Sequence, residues 1–384
     1  MDSVTKKIIP GVYVVADNIT SPLGKTTGEN FDALKAGETA VKLHTDLSLS
    51  AEPFFVSLFD DDEFFYPDNE AKYSRFDRLL IASVDEALKQ GSIDPSDTKA
   101  IFILSTTKGN IGLLETEDEH PELYERVSLS ASARLIAAHF GFVNEPIIIS
   151  NACISGVVGI ITGMRLLRAG EYETAVVAGA DVISRFIVSG FQSFQALSND
   201  VCKPFDINRN GLNLGEGAGT IILSSNQKYS SNVKVLAGSV SNDANHISAP
   251  SRTGAELAHA ISKALQDAGK STSDIGFISA HGTATSYNDE MEAAAITIAG
   301  LQQVPLNSLK PNYGHTLGAA GLIESVVSIQ SLKQGLILRT HHYEENGVTN
   351  EVNVCVTPTP TTTHTFLKTA SGFGGCNAAV IFGK

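Results

Sequence analysis

The chain has 384 residues, 42% hydrophobic and 18% charged, with no tryptophan and a formal net charge of −14; it can build a large core, either as two domains or as one duplicated unit. The acidic balance argues against a nucleic-acid partner, which demands a basic face. No apolar run of signal-peptide length precedes Pro10, no stretch approaches bilayer-spanning length, and the four cysteines show neither CxxC spacing nor a disulfide framework; the expectations are a reducing cytoplasmic setting, no membrane insertion and no metal site.

Along the chain, strand and helix signals alternate, which predicts a parallel-rich α/β architecture. Strands are expected at 12–16, 100–105, 147–150, 175–178 and 220–223 in the first half. The second half offers 233–238, 277–280, 304–307, 352–356, 366–370 and 378–382. A helix is expected from Tyr73-Ser74-Arg75-Phe76-Asp77-Arg78 to about Lys89, another over 130–140, a third over 154–168 ended by Gly170, and a fourth from Thr316 to about Lys333. The polar stretch 224–232 is the most loop-like interior segment, and it divides the chain into halves at 8–228 and 229–384.

Three short stretches carry the chemistry. In Ser150-Asn151-Ala152-Cys153-Ile154-Ser155-Gly156, the thiol follows a β-branched run and precedes an apolar helix. Free N–H groups and the positive helix end at such a turn favour a thiolate and can stabilise an oxyanion on a bound thioester. On this stretch alone a buried core cysteine is an equal reading. Ala280-His281-Gly282-Thr283-Ala284-Thr285 puts His281 at the C-terminal end of a short strand, where open α/β sheets place ligands. Lys310-Pro311-Asn312-Tyr313-Gly314-His315 puts His315 in a glycine-flanked loop before a helix. A single loop histidine is more often structural, and His44, His120 and His364 carry only that reading.

With these stretches in view, the chain resembles the elongating Cys-His-His β-ketoacyl-(acyl carrier protein) synthases of the thiolase-like superfamily. The likeness extends to Cys202-Lys203-Pro204-Phe205-Asp206 with Leu214-Gly215-Glu216-Gly217-Ala218-Gly219, to Asn242-Asp243-Ala244-Asn245-His246, and to Ser371-Gly372-Phe373-Gly374-Gly375-Cys376-Asn377. It implies an α/β fold of the thiolase-like kind, a pseudo-duplicated α-β-α-β-α five-layer sandwich, with the nucleophile from the first half and both histidines from the second. It implies a decarboxylative condensation of malonyl-carrier protein with an acyl group held on Cys153. His281 and His315 would polarise the malonyl thioester, and the backbone N–H groups of Cys153 and the gating residue Phe373 would form the oxyanion hole.

The resemblance also implies that Lys310 and Glu324 form a coupled pair beside the site, although without it a surface lysine and an exposed helical glutamate would be the plainer reading. Thr283 and Thr285 would bind the pantetheine arm; their alternative is a turn-forming role. Arg75, Arg78 and Lys203 match basic positions used for carrier-protein docking, with solvated surface charge as the alternative. No cofactor is implied, since substrates ride on the phosphopantetheine of an acyl carrier protein. The expected assembly is a homodimer, with a heterodimer as the other arrangement.

Departures bear on substrate choice. The region 105–130 is short for an elongating synthase, Lys108 stands where a small or apolar residue is usual, and Cys376 replaces a threonine. Fatty-acid elongation and a specialised polyene or polyketide pathway are both compatible. A thiolase would place a second catalytic cysteine near Cys376 and would not need His315; coenzyme-A-primed relatives carry Asn in the third position. A non-catalytic chain-length-factor subunit would have lost the nucleophile that is present here.

Overall fold

A computed structural model describes residues 11–60, 72–229, 232–244 and 251–384; Asn245 and His246 of the motif at 242–246 lie outside the described residues. In the first half the elements are β1 (Tyr13–Thr20), α1 (Thr27–Ala36), β2 (Val41–His44), β3 (Phe54–Ser57), α2 (Arg75–Gly91), β4 (Ala100–Ser105), α3 (Leu113–Thr116) and α4 (Pro121–Val127). There follow α5 (Leu129–Phe140), β5 (Ile147–Ile149), α6 (Ser155–Ala169), β6 (Thr174–Asp181), α7 (Arg185–Ser193), β7 (Leu214–Gly215) and β8 (Gly217–Ser224). The second half has β9 (Lys234–Asn242), α8 (Ala255–Ala268), β10 (Phe277–Ser279), α9 (Ser286–Ile298), β11 (Leu306–Asn307), α10 (Lys310–Tyr313) and α11 (Ala320–Gln334). It closes with β12 (Leu336–Ile337), β13 (Thr359–Pro360), β14 (Thr365–Gly372) and β15 (Cys376–Gly383).

Ten strands form one sheet in the order β11-β10-β14-β15-β9-β1-β8-β6-β4-β5. Outward from the centre, β9-β15-β14-β10-β11 and β1-β8-β6-β4-β5 repeat one chain order, first-fifth-fourth-second-third. The pairing senses repeat as well, with two antiparallel steps followed by two parallel ones on each side. The fold is therefore the expected pseudo-duplicated α/β sandwich. The halves join where Tyr13 of β1 pairs with Lys234 of β9.

The helices that begin just after the chemical motifs form the middle layer. Helix α6 packs on strands of both halves and on α11, which does the same from the other side. Their crossing is close because glycines face backbone: a Cβ on Gly156 would lie 2.7 Å from the Leu322 nitrogen, and one on Gly321 would lie 2.8 Å from the Val157 nitrogen. Residues 152–169 are apolar enough to pass as a bilayer span by composition alone, contrary to the sequence expectation. They are apolar because they are packed between two sheet faces; Ile154, Val157, Ile160 and Leu167 are fully buried.

Local signals set the element ends. Ser74 and Asp77 form a reciprocal capping box that starts α2, and Gly170 at φ 78° ends α6 in the left-handed region. The core of the second half holds the stacked rings of Phe277, Phe366 and Phe382, with centroids 5.1 and 4.8 Å apart. The strand expected at 352–356 is reduced to a single bridge between Leu306 and Val354. Its alternating apolar residues cover the sheet edge, but β11 offers only two residues to pair with.

Candidate active site

Cys153 lies in the turn between β5 and α6, as its sequence position predicts. The turn is tight: Ala152 takes φ 44°, and the Ser155 hydroxyl accepts from the Asn151 N–H at 2.8 Å while donating to the Ala152 carbonyl at 2.6 Å. A non-glycine residue in the left-handed region persists only where its surroundings hold it, and here they aim the next side chain. The thiol opens into a cavity of about 360 Å³ lined also by His281, His315, Thr283, Thr285, Phe191, Phe194 and Phe373. The structure thus gathers Cys153 of the first half with His281 and His315 of the second, 128 and 162 positions further along, into one pocket between the halves.

The thiol is not held as a thiolate. Cys153 is 9% exposed, and burial pushes it up to about 12, with the neighbouring Cys376 thiol adding to the shift and the Lys310 charge opposing it. The helix end that the sequence points to is present, and burial works against it. Nucleophilic attack therefore requires a proton acceptor in the pocket.

The two imidazoles face each other edge to face, with ring centroids 5.3 Å apart. Burial holds both well below the usual histidine range, reinforced by the charges of Lys310 and Lys368, so both are neutral at neutral pH. Nδ1 of each ring is buried without a hydrogen-bond partner.

The backbone that carries His281 is pinned by buried ions. Lys310 Nζ donates to the His281 carbonyl at 2.9 Å and meets Glu324 Oε1 at 2.5 Å. Glu292 accepts from the His281 and Gly282 N–H groups at 2.8 and 2.7 Å and from the Thr369 hydroxyl at 2.6 Å. Lys368 Nζ sits 2.7 Å from Glu324 Oε2. Sequence reasoning paired Lys310 with Glu324 but passed over Glu292 and Lys368. The available signal was a lysine inside the apolar strand Thr365–Gly372, only five residues before Phe373.

Phe373 stands at the cavity wall, 38% exposed, its ring 5.8 Å from Phe191 and 5.2 Å from Phe194. The hairpin that bears it abuts the turn of Cys153, since a Cβ on Gly372 would meet the Cys153 nitrogen at 2.9 Å. Thr283 and Thr285 line the same cavity with their hydroxyls 2.9 Å apart. Cys376 is buried behind the hairpin, its sulfur 3.3 Å from the Phe373 carbonyl, and does not line the cavity.

The three basic residues expected to dock a carrier protein differ in their surroundings. Arg75 forms an ion pair with buried Glu216 at 2.9 Å and donates to the Phe59 carbonyl at 3.4 Å. Glu216 also accepts from the Ile183 N–H, so Arg75 neutralises a structural carboxylate rather than standing as surface charge. Arg78 is half-buried, with Nε unpartnered, and Lys203 is half-buried near His342 and Asp206. Lys108, also half-buried, lies outside the cavity lining and contributes a weak positive field at Cys153.

Comparison with known proteins decides the family. The pattern described as Beta-ketoacyl synthase, N-terminal domain, matches residues 10–229, and Beta-ketoacyl synthase, C-terminal domain, matches residues 233–344. The chain is a member of the β-ketoacyl synthase family. It is 29% identical to 3-oxoacyl-[acyl-carrier-protein] synthase 2 of Vibrio cholerae, over 97% of this chain and 98% of that protein. Its structure is similar to that of the ishigamide ketosynthase/chain length factor, at 26% identity and a TM-score of 0.88, covering 98% of this chain and 99% of the other. It is also similar to the ketosynthase ApeO in complex with its chain length factor ApeC from Xenorhabdus doucetiae, at 26% identity and a TM-score of 0.86, with full coverage of both chains.

Proposed function

We propose that this synthase extends an acyl chain by two carbons, condensing malonyl-carrier protein with an acyl group held as a thioester on Cys153. The observation that carries the reading is one pocket holding a buried neutral thiol and two neutral imidazoles, with a buried ion network behind them.

In the first half-reaction the Cys153 sulfur attacks the acyl-carrier thioester as a neutral imidazole accepts the thiol proton. The tetrahedral oxyanion is met by the backbone N–H groups of Cys153 and Phe373. Its collapse expels the carrier thiolate, which takes the proton back. In the second half-reaction, N–H groups of His281 and His315 bond the malonyl thioester oxygen. The bond to the carboxylate carbon breaks, carbon dioxide leaves, and the electron pair enters an enolate. Neutral imidazoles suit this role because a carboxylate would repel the developing charge. The enolate carbon attacks the Cys153 thioester, collapse of the tetrahedral intermediate expels the cysteine thiolate and yields the β-ketoacyl-carrier product, and a proton from solvent returns Cys153 to its neutral thiol. Thr283 and Thr285 hold the pantetheine arm at the cavity mouth.

The substrates arrive on an acyl carrier protein in a cytoplasmic setting, and no further cofactor takes part. Lys203 and Arg78 are the docking charges of this reading, with Arg75 acting through the fold. Strand β5 lies at one end of the sheet with three half-exposed isoleucines, Ile147, Ile148 and Ile149, an edge that a second subunit would cover. A homodimer is the first reading. A heterodimer with a chain-length-factor-like subunit is the second, favoured by the likeness to two ketosynthase/chain length factor structures.

The test is intact-mass analysis of the purified chain with acyl-carrier protein and then malonyl-carrier protein. An acyl adduct on Cys153 followed by a product two carbons longer supports the reading. No adduct with any acyl length, alone or with a candidate partner subunit, contradicts it.

A further inference from the structure

Lys368 is a fully buried lysine that the mechanism above does not use. It projects from the middle of β14 into the space behind His281. Its Nζ donates to the carbonyls of Ser279 at 3.1 Å, Ala280 at 3.2 Å and Thr369 at 2.7 Å, and it meets Glu324 Oε2 at 2.7 Å. All four neighbours are acceptors. A neutral amine would turn its lone pair toward one of them, whereas an ammonium, having only donors, suits the arrangement. Burial lowers its proton affinity, and Glu324 works against that.

Lys368 and Lys310 together hold three successive carbonyls, those of Ser279, Ala280 and His281. Glu292 holds the next two N–H groups, of His281 and Gly282. The sheet ladder of β10 ends at Ser279, so ions take over where strand pairing stops. Two lysines and two glutamates, all buried, balance in charge behind the histidines.

We propose that Lys368 is a second positioning cation of the condensing site: it fixes the backbone that carries His281, and its charge adds to the burial that holds His281 and His315 in their neutral, hydrogen-bonding form. The inference rests on the proposed roles of the two histidines. The charged and titratable groups around them are Lys310 from α10, Lys368 from β14, Glu324 from α11, Asp289 and Glu292 from α9, and Cys153 from the α6 turn; of these, Lys310 and Lys368 act on both rings, and His315 acts on His281. Removing the Lys368 charge takes one positive charge from this set, which invites protonation of an imidazole.

The test is the pH dependence of malonyl-carrier decarboxylation in wild type, Lys368→Met and Lys368→Arg, together with an NMR titration of the His281 and His315 imidazoles. Lys368→Met is expected to move the acidic limb of the rate upward by about one pH unit, to raise the imidazole titrations with it, and to slow decarboxylation more than Cys153 acylation. Lys368→Arg is expected to keep the limb near its wild-type position even where the rate falls. An unmoved limb in Lys368→Met, or an equal loss in both half-reactions without a titration shift, overturns the proposal. If Lys368→Met does not fold, Lys368→Gln replaces it, and an imidazole of the wild-type protein that is charged at pH 6 overturns the proposal by itself. Wild-type protein that does not decarboxylate at all contradicts the functional reading instead, and the NMR titration still decides the role of Lys368.

Discussion

Gly372 and Cys153 are in backbone contact across the two halves: a Cβ on Gly372 would lie 2.9 Å from the Cys153 nitrogen and 3.1 Å from the Cys376 sulfur. This contact sets the hairpin of Phe373 against the turn of Cys153, and under the proposed mechanism two N–H groups from distant parts of the chain serve one oxyanion. Gly372→Ala is expected to slow acylation of Cys153 at least about tenfold, in the range of a displaced oxyanion donor. Stopped-flow or quenched intact-mass measurement of acyl transfer checks it, and decarboxylation should fall less.

Glu324 serves Lys310 and Lys368 at once, with its side chain 5% exposed and both lysines fully buried. Glu324→Gln leaves two buried cations without their shared ion-pair partner, which costs about 3–5 kcal/mol. The expected result is a markedly lower denaturation midpoint as well as loss of condensation. Retention of the wild-type midpoint would contradict the buried network.

Acidification should destabilise the fold. Burial holds His281, His315 and His341 below the ordinary histidine value, so below about pH 6.5 the unfolded chain binds more protons than the folded one, and stability falls with pH. Asp181 and Asp289, pushed up to about 6 by burial, have the opposite sign between about 4 and 6 and offset part of this loss. His341, lowered to about 4 beside Arg339, lies outside the cavity lining. His341→Leu is therefore expected to flatten the stability slope between pH 6.5 and 4, measured by denaturant titration across that window.

Charge reversal should separate the basic residues. Arg75→Glu faces Glu216 with a like charge at a partly buried site and is expected to lower stability, seen by thermal melting, with losses on every substrate. Lys203→Glu is expected to raise the KM for carrier-bound substrate severalfold and to spare a small thioester analogue. Equal effects of Lys203→Glu on both substrates would remove it from the docking surface.

The pocket was legible in the sequence because its chemistry sits in runs of consecutive residues at strand and helix ends. Cys153, His281 and His315 each announce themselves by small neighbours, and Glu324 lies in the helix that follows His315. Glu292 and Lys368 were not legible by the same means. Glu292 is one acid among several on α9, and Lys368 resembles a strand's solvent-facing lysine until the opposite sheet face is known to be covered. The Arg75–Glu216 ion pair was not legible for a related reason: Glu216 is 141 residues away, and a charge in a helix's first turn looks solvated without it. The strand alternation of 352–356 was real, but pairing depends on what lies beside it, and β11 is too short to extend the sheet.

The measurement closest to the central claim separates the half-reactions in two variants. Cys153→Ala and His315→Ala are each mixed with acyl-carrier protein and, separately, with malonyl-carrier protein, and adduct formation and carbon dioxide release are followed. The proposed mechanism predicts that Cys153→Ala takes up no acyl group yet still decarboxylates malonyl-carrier protein, whereas His315→Ala acylates Cys153 and loses decarboxylation by about a hundredfold or more. Full condensation by Cys153→Ala, or undiminished decarboxylation by His315→Ala, would contradict it.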